Sequence, residues 1–239
     1  MIVEIFIPCF LDQFYPQTAM NMVKILEKVG CGVNYNPNQT CCGKPALLAG
    51  YTDYCKEVGA KFIREFENDR PIVTPDASCV SMIKNQYPEM FHNSVVHNEY
   101  KSIQKNIFEL SDFLVNVMHV TDVNAQLNGI ATYQDPCTAL RGLGIKKEPR
   151  VLLSKVKGLT LVEMEESEVC CGFGGALPVN MPLIANHIAT QKTTCIANTQ
   201  ADYLISTDMG CLQHLQTAIK NAGLKTEVMH LADVLAKGW

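Results

Sequence analysis

The feature that most constrains this chain is a cysteine pattern that occurs twice. Each copy has one cysteine, a Cys-Cys-Gly triplet 32 or 33 positions later, and a fourth cysteine 37 or 40 positions after the second cysteine of the triplet. The first copy is Cys9, Cys41, Cys42 and Cys79, and the second is Cys137, Cys170, Cys171 and Cys211. A pattern repeated at matched spacing indicates an internal duplication.

Adjacent cysteines followed by glycine indicate metal binding. The several irons of an iron-sulfur cluster accept neighbouring thiolates, whereas a single tetrahedral ion would require the chain to bend back sharply. Gly43 and Gly172 permit backbone conformations that other residues avoid, so each can turn two successive side chains toward one site. The eight patterned cysteines are therefore the predicted ligands of an iron-sulfur cluster, with one cluster expected in each half.

Composition narrows the class of protein. The 239 residues are 47% apolar, which is enough for a buried core, and the formal net charge is -4 without a basic block. Nucleic acid is therefore not an expected partner. The apolar start, Met1 to Phe10, lacks a basic flank and is interpreted as a buried strand, and no apolar run reaches the ~20 residues of a membrane span. We expect a cytoplasmic protein, in which thiols bind metal or do redox chemistry in preference to forming disulfides.

The order of predicted elements favours an α/β fold. Short apolar strands, such as Ile2–Ile7 and Ile130–Tyr133, each run into a Pro-Cys turn, and amphipathic helices follow. We predict two similar Rossmann-like modules, residues 1–124 and 125–239, with mostly parallel sheets and pseudo-two-fold symmetry. A closing helix is predicted in each half from the helical spacing of apolar residues that begins at Ile107 and at Val228.

Aspartates precede the last cysteine of each copy. Asp76 and Asp208 stand three positions before Cys79 and Cys211, after an apolar strand and ahead of a helical pattern. This placement predicts helix N-caps. Cys79 and Cys211 would then lie in the first helical turn, where free N–H groups and the helix dipole stabilise a thiolate.

The chain resembles the cysteine-rich CCG proteins, which include the cysteine-rich component of heterodisulfide reductase, the iron-sulfur component of glycolate oxidase and, most similar, the lactate utilization protein A family. The resemblance is carried by Cys41-Cys42-Gly43-Lys44-Pro45-Ala46 with Gly50-Tyr51, Leu143-Gly144-Ile145 with Glu148-Pro149, Cys170-Cys171-Gly172-Phe173-Gly174-Gly175, and Val228-Met229-His230-Leu231-Ala232-Asp233-Val234-Leu235. It implies an iron-sulfur subunit that works with two partner proteins, one of them carrying further clusters, to oxidise L-lactate to pyruvate.

The sequence departs from the heterodisulfide reductase pattern at one position of each half. That relative ends each module in Cys-x-x-Cys, whereas this chain has Met82 and His214 as the final residue. The remaining four cysteines still suit a 4Fe-4S cluster or a smaller one. His214 is either an additional nitrogen ligand or a helical surface residue, and Met82 is expected in the core. The unpatterned Cys31, Cys55 and Cys195 are expected to be small buried residues.

Three functions remain open at this stage. The first is an electron-transfer subunit with iron-sulfur clusters, for which the substrate of the complex is L-lactate, glycolate or another 2-hydroxy acid. The second is a zinc-bearing interaction subunit, and the third is a protein whose vicinal dithiols cycle with disulfides. No catalytic residue is assigned, because the sequence has no Ser/His/Asp grouping, P-loop or recognisable flavin motif. A partner is expected to take the hydride from the substrate.

Overall fold

The computed structural model describes residues 1–238. The half that contains the first sheet is called the first module. Its strands are β1 (Ile2–Ile5), β2 (Gly32–Tyr35), β3 (Ile72–Thr74) and β4 (Ile107–Glu109). Its helices are α1 (Cys9–Phe14), α2 (Pro16–Lys28), α3 (Lys44–Leu48), α4 (Thr52–Glu65), α5 (Ala77–Asn85), α6 (Tyr87–Phe91), α7 (His97–Asn106) and α8 (Leu110–Asp112), and a π-helical turn, Phe113–Val117, ends the module.

The second module repeats this plan. Its strands are β5 (Gln126–Tyr133), β6 (Lys157–Leu161), β7 (Tyr203–Ser206) and β8 (Glu227–His230). Its helices are α9 (Cys137–Leu143), α10 (Lys147–Leu153), α11 (Leu177–Asn180), α12 (Pro182–Asn198), α13 (Met209–Asn221) and α14 (Leu231–Leu235). The sheets have the orders β2-β1-β3-β4 and β6-β5-β7-β8, and every strand pair is parallel. The predicted α/β fold with two parallel sheets is confirmed.

The closing segments differ in one respect from the prediction. Ile107 and Val228 lie in the edge strands β4 and β8, and the closing helices begin only at Leu110 and Leu231. The apolar spacing was compatible with a helix because each segment passes from a strand directly into a helix, and both parts bury apolar side chains. The prediction that these helices start at Ile107 and Val228 was therefore wrong.

The largest core lies between the two sheets. It contains Val3 and Val73 of the first sheet, Ala131 and Ile205 of the second, and side chains of α2, α8, α10 and α14. The last α-helix of each module packs on the second helix of the other, α14 on α2 and α8 on α10. This reciprocal packing joins the modules through one continuous apolar core, whose burial is the main stabilising contribution.

Polar contacts fix the same interface. Asp233 of α14 accepts hydrogen bonds from Thr18 Oγ1 and Asn21 Nδ2 of α2, both at 2.9 Å. Separate cores lie on the outer face of each sheet, beneath α4 to α7 in the first module and beneath α12 and α13 in the second. Within residues 1–238 no helix combines the length and the apolar character that crossing a bilayer requires.

Candidate metal centre

All eight patterned cysteines follow the carboxyl ends of parallel strands, the two Cys-Cys pairs in loops and the other four cysteines in the first turn of a helix. In each module the first cysteine follows the first strand, the Cys-Cys pair follows the edge strand beside it, and the last cysteine follows the third strand. Because these strands are adjacent and parallel, their loops meet at one edge of the sheet. The fold therefore places the four cysteines of each predicted set at the same edge of their sheet. All eleven cysteines are free thiols.

The first set forms a row of close sulfur contacts. Cys9 Sγ lies 3.5 Å from Cys41 Sγ, and Cys42 Sγ lies 3.3 Å from Cys79 Sγ. Cys41 and Cys42 are neighbours in the chain, and the interaction with the Cys42 thiol is the main cause that raises the pKa of Cys41 to about 11. Cys9 is exposed and Cys41 half-buried, whereas Cys42 and Cys79 are buried.

The second set repeats this arrangement. Cys171 Sγ lies 2.7 Å from Cys211 Sγ, and both residues are buried. Cys137 and Cys170 are half-buried. The interaction of Cys137 with Cys170 raises the pKa of Cys137 and lowers that of Cys170.

The glycine after each pair has the conformation that the turn requires. Gly43 and Gly172 have φ values of +86° and +91°, in the left-handed region that other residues rarely adopt. The N–H of each glycine points back at the first sulfur of its pair, with an N to Sγ distance of 3.3 Å to Cys41 and to Cys170. Backbone N–H groups gathered in this way stabilise negative charge on a thiolate.

The fourth cysteine of each set lies at a capped helix start, as predicted. Asp76 caps α5 through Oδ1, which accepts the N–H of Ser78 at 2.7 Å and that of Cys79 at 3.3 Å. Asp208 caps α13 in the same way, with Oδ1 accepting the N–H of Cys211 at 3.0 Å. The carboxylates fix the first helical turn, and with it the position of both sulfurs.

A half-buried cation beside the first set, Lys44, was not assigned from the sequence. Burial lowers the pKa of Lys44, but the charges of Asp208 and Asp76, followed by those of Cys79 and Cys42, outweigh it, so the pKa lies above its ordinary value. Lys44 thus interacts with acidic groups of both modules. Burial and the charge of Asp76 raise the pKa of Asp208 to about 6. The only sequence signal was that Lys44 follows the first triplet directly, whereas Phe173 follows the second.

The structure also places the other residues that the sequence analysis singled out, which are His214, Met82 and the three cysteines outside the pattern. His214 is half-buried, with Nε2 3.4 Å from the carbonyl oxygen of Ala185 and the ring beside Phe173, so it is directed at the backbone of α12. Met82 lies in the outer core of the first module, as expected. Cys31 and Cys55 are buried, as expected, and Cys195 is only half-buried.

The residues present fit a thiolate-bound group. Each set offers four thiols at one sheet edge, with a backbone N–H group directed at the first sulfur of the Cys-Cys pair, which is the donor chemistry of iron-sulfur sites. No group of three or more His, Cys, Asp or Glu side chains in the described residues is arranged to hold a single metal ion.

Comparison with known proteins decides the family. The profile of the cysteine-rich (CCG) domain matches residues 3–84 and 131–216, once in each module. Lactate utilization protein A of Geobacillus kaustophilus strain HTA426 is 41% identical over 236 residues, which are 98% of each chain. This chain belongs to the lactate utilization protein A family. The family member from Anoxybacillus flavithermus is 40% identical over 98% of this chain, and Lactate utilization protein A 2 of Bacillus cereus strain 03BB102 is 38% identical over all of it; each match covers 99% of the relative.

A solved structure has a similar fold. The crystal structure of a hypothetical protein from Helicobacter pylori aligns over 100% of this chain and 49% of that one, with a TM-score of 0.58 and 14% sequence identity. At 14% sequence identity, this similarity shows only that the two proteins share a fold.

Proposed function

We propose that the chain is an iron-sulfur electron-transfer subunit of a multi-protein complex that oxidises L-lactate to pyruvate. The observation that supports the proposal is the close pairing of patterned cysteine sulfurs in both modules, with a backbone N–H group directed at the first sulfur of each Cys-Cys pair. The printed name of the relatives, lactate utilization protein A, supports the substrate. Bound clusters would supply one-electron redox chemistry.

The residues that would hold these groups are the two sets already described. The first cluster would be held by Cys9, Cys41, Cys42 and Cys79, and the second by Cys137, Cys170, Cys171 and Cys211. A 4Fe-4S cluster in each module is the favoured occupant. Converting lactate to pyruvate releases two electrons and two protons, and we assign only the electrons to this subunit. Binding of the acid and removal of its hydrogen are assigned to the two partner subunits, one of which is expected to carry further clusters.

The polar groups around the two cysteine sets would adjust the reduction potential of bound clusters for electron transfer. N–H groups of Gly43 and Gly172 favour the deprotonated sulfurs that ligate iron. Lys44, placed near the buried acidic groups Asp76 and Asp208, offsets part of the negative charge that thiolates bring to the module interface. Hydrogen bonds and net charge around cluster sulfurs are principal determinants of the reduction potential.

Metal analysis of anaerobically purified protein tests the proposal. We expect iron and acid-labile sulfide in matching amounts, together with an EPR signal that changes on reduction with dithionite. Zinc in place of iron would instead indicate that the chain is a structural subunit with a zinc site, in which Zn–S distances of about 2.3 Å are expected. If the protein contains no metal and each Cys-Cys pair reversibly loses two thiols on oxidation, the chain is instead a dithiol redox protein. Growth of a deletion strain on lactate and on glycolate distinguishes the two substrates.

A further inference from the structure

An exposed apolar patch lies on the surface beside both Cys-Cys pairs. It consists of Leu48, Tyr51 and Tyr54 of the first module and Val179, Met181 and Leu183 of the second. The side chains of Leu183 and Val179 are 85% and 82% exposed, so they contribute little to the packing of this chain. Exposed apolar side chains gathered in one place mark interaction surfaces.

The two halves of the patch adjoin at a glycine. Gly175 has a φ of +82°, and a methyl group placed on it would lie 2.5 Å from Leu48 Cδ1, so the end of α3 rests on the Gly174-Gly175 turn. On the first module, the rings of Tyr51 and Tyr54 pack edge to face with centroids 6.2 Å apart. The two halves of the patch thus meet where Leu48 of the first module lies against Gly175 of the second.

The patch is continuous with the predicted ligand loops. Helix α3 starts two residues after Cys42, and Gly175 follows Cys171 by four. The first sulfur of each pair, on Cys41 and on Cys170, belongs to a half-buried residue. A protein seated on the patch would therefore cover the solvent side of these loops and approach both sets.

The charge of the surface indicates what kind of occupant fits. Residues 173–191 contain no Asp, Glu, Lys or Arg, and in residues 44–57 two lysines balance Asp53 and Glu57. A helix that binds an anionic membrane surface carries lysine and arginine beside its apolar residues, and this pattern is missing here. Depletion of charge together with tyrosine and methionine is typical of the centre of a protein–protein interface.

We propose that this patch is the docking face for the redox protein that exchanges electrons with the cysteine sets, and that the partner offers an uncharged, apolar or aromatic surface to it. The docking role rests on the proposed function. The partner belongs to the class of proteins with an iron-sulfur or flavin centre of their own. In each encounter one electron leaves the reduced centre and enters the oxidised one, and no bond forms between the proteins.

The test uses the full chain, tagged and purified anaerobically from its own host. Leu183→Asp and Val179→Asp introduce charge into the patch, and Leu183→Gln is a milder second variant. Val95→Asp is the matched control, because Val95 is a 99% exposed valine on the turn between α6 and α7, outside the patch. The co-purified redox protein is identified by its own iron or flavin spectrum and titrated back onto each variant. Stopped-flow absorbance then follows its reaction with the dithionite-reduced chain.

We expect the patch variants to weaken binding about tenfold or more and to slow electron exchange, with the control unchanged. Equal affinity of all variants, or failure of any redox protein to bind, would overturn the assignment. Two further probes identify other occupants: vesicles of phosphatidylcholine and phosphatidylglycerol in equal parts, and concentration-dependent self-association of the chain. If the wild-type chain binds vesicles or associates with itself, and the patch variants abolish that binding, the assignment of the patch to a redox partner is contradicted.

Iron and sulfide are measured on the same samples. A chain without iron and sulfide contradicts the proposed function itself. An iron-loaded chain whose partner binding is indifferent to the patch variants contradicts only the docking role.

Discussion

Asp135 and Arg150 form a two-point ion pair just before the first cysteine of the second set. Arg150 Nη1 lies 2.8 Å from Asp135 Oδ1, and Nη2 lies 2.7 Å from Oδ2. The Asp135 side chain is 1% exposed, so Arg150 compensates a carboxylate that is removed from solvent. Because Asp135 precedes Pro136-Cys137, the pair fixes the strand-to-loop turn that presents Cys137.

Replacing Arg150 is therefore expected to destabilise the protein strongly. Arg150→Met leaves a buried carboxylate without its cation, and we expect a loss of about 3 kcal/mol or more in the free energy of unfolding. The control is Lys146→Met, which removes the ion pair between Lys146 and Glu168, two side chains that are about half exposed. Solvent screens that pair, so the loss there should be much smaller. Denaturant titrations of both variants measure the difference, and similar losses would contradict a special role for Asp135.

The turn after the second cysteine pair should not accept a side chain. In Gly172→Ala the new methyl group would lie 2.7 Å from the carbonyl oxygen of Ala185, in addition to the strain of a positive φ. We expect a total cost of about 3 kcal/mol. Gly144→Ala is the control, since Gly144 also has positive φ but has nothing within 4 Å of an added methyl group. It should cost only about 1 kcal/mol of strain. Thermal unfolding that ranks the two variants equally would show that the close approach at Gly172 is unimportant.

Replacement of one buried cysteine should remove the cluster from one module and leave the cluster of the other module in place. If each set holds one cluster, Cys171→Ser is expected to halve the iron and sulfide per chain, and the double variant Cys42→Ser with Cys171→Ser should lose nearly all of both. Cys195→Ser is the control in the same module, because Cys195 stands outside the set. Iron and sulfide assays on anaerobic samples decide the outcome. Loss of all metal from the single variant would instead indicate one shared site.

A buried carboxyl predicts how stability depends on pH. Burial raises the pKa of Glu109 to about 8, even though Oε2 accepts the N–H groups of Ser111 at 2.8 Å and Asp112 at 3.3 Å. In the unfolded chain a glutamate titrates near pH ~4.3. Between these values the folded protein holds a proton that the unfolded chain has released, so stability is greatest below the lower pKa and falls as pH rises toward 8.

The Glu109→Gln variant isolates this contribution, because it cannot ionise. Relative to the variant, the wild-type protein should lose up to about 1.4 kcal/mol per pH unit across this interval. Denaturant titrations at several pH values from about 4.5 to 8 cover the range. Parallel stability curves for the two proteins would show that Glu109 does not change its protonation on unfolding.

The candidate site could be found by sequence analysis because its cysteine pattern occurs twice. The spacing of Cys9, Cys41 and Cys42 matches that of Cys137, Cys170 and Cys171, and a coincidence of that kind requires no knowledge of the fold. The caps at Asp76 and Asp208 were also predictable, since a cap is a local interaction between neighbours in the chain. In contrast, Ile107 and Val228 were assigned to helices, because a short buried strand that enters a helix has no distinct local pattern.

The sequence by itself determined the alternation of strands and helices, the duplication and the eight cysteines, because these depend on composition, period and spacing. The tertiary structure decided which groups meet across the chain. It placed Lys44 near acids of both modules, paired Asp135 with Arg150, and joined Leu48 to the turn at Gly175. Such contacts depend on how two sheets and their helices pack, and the free energy of that packing comes from apolar areas buried between residues far apart in sequence.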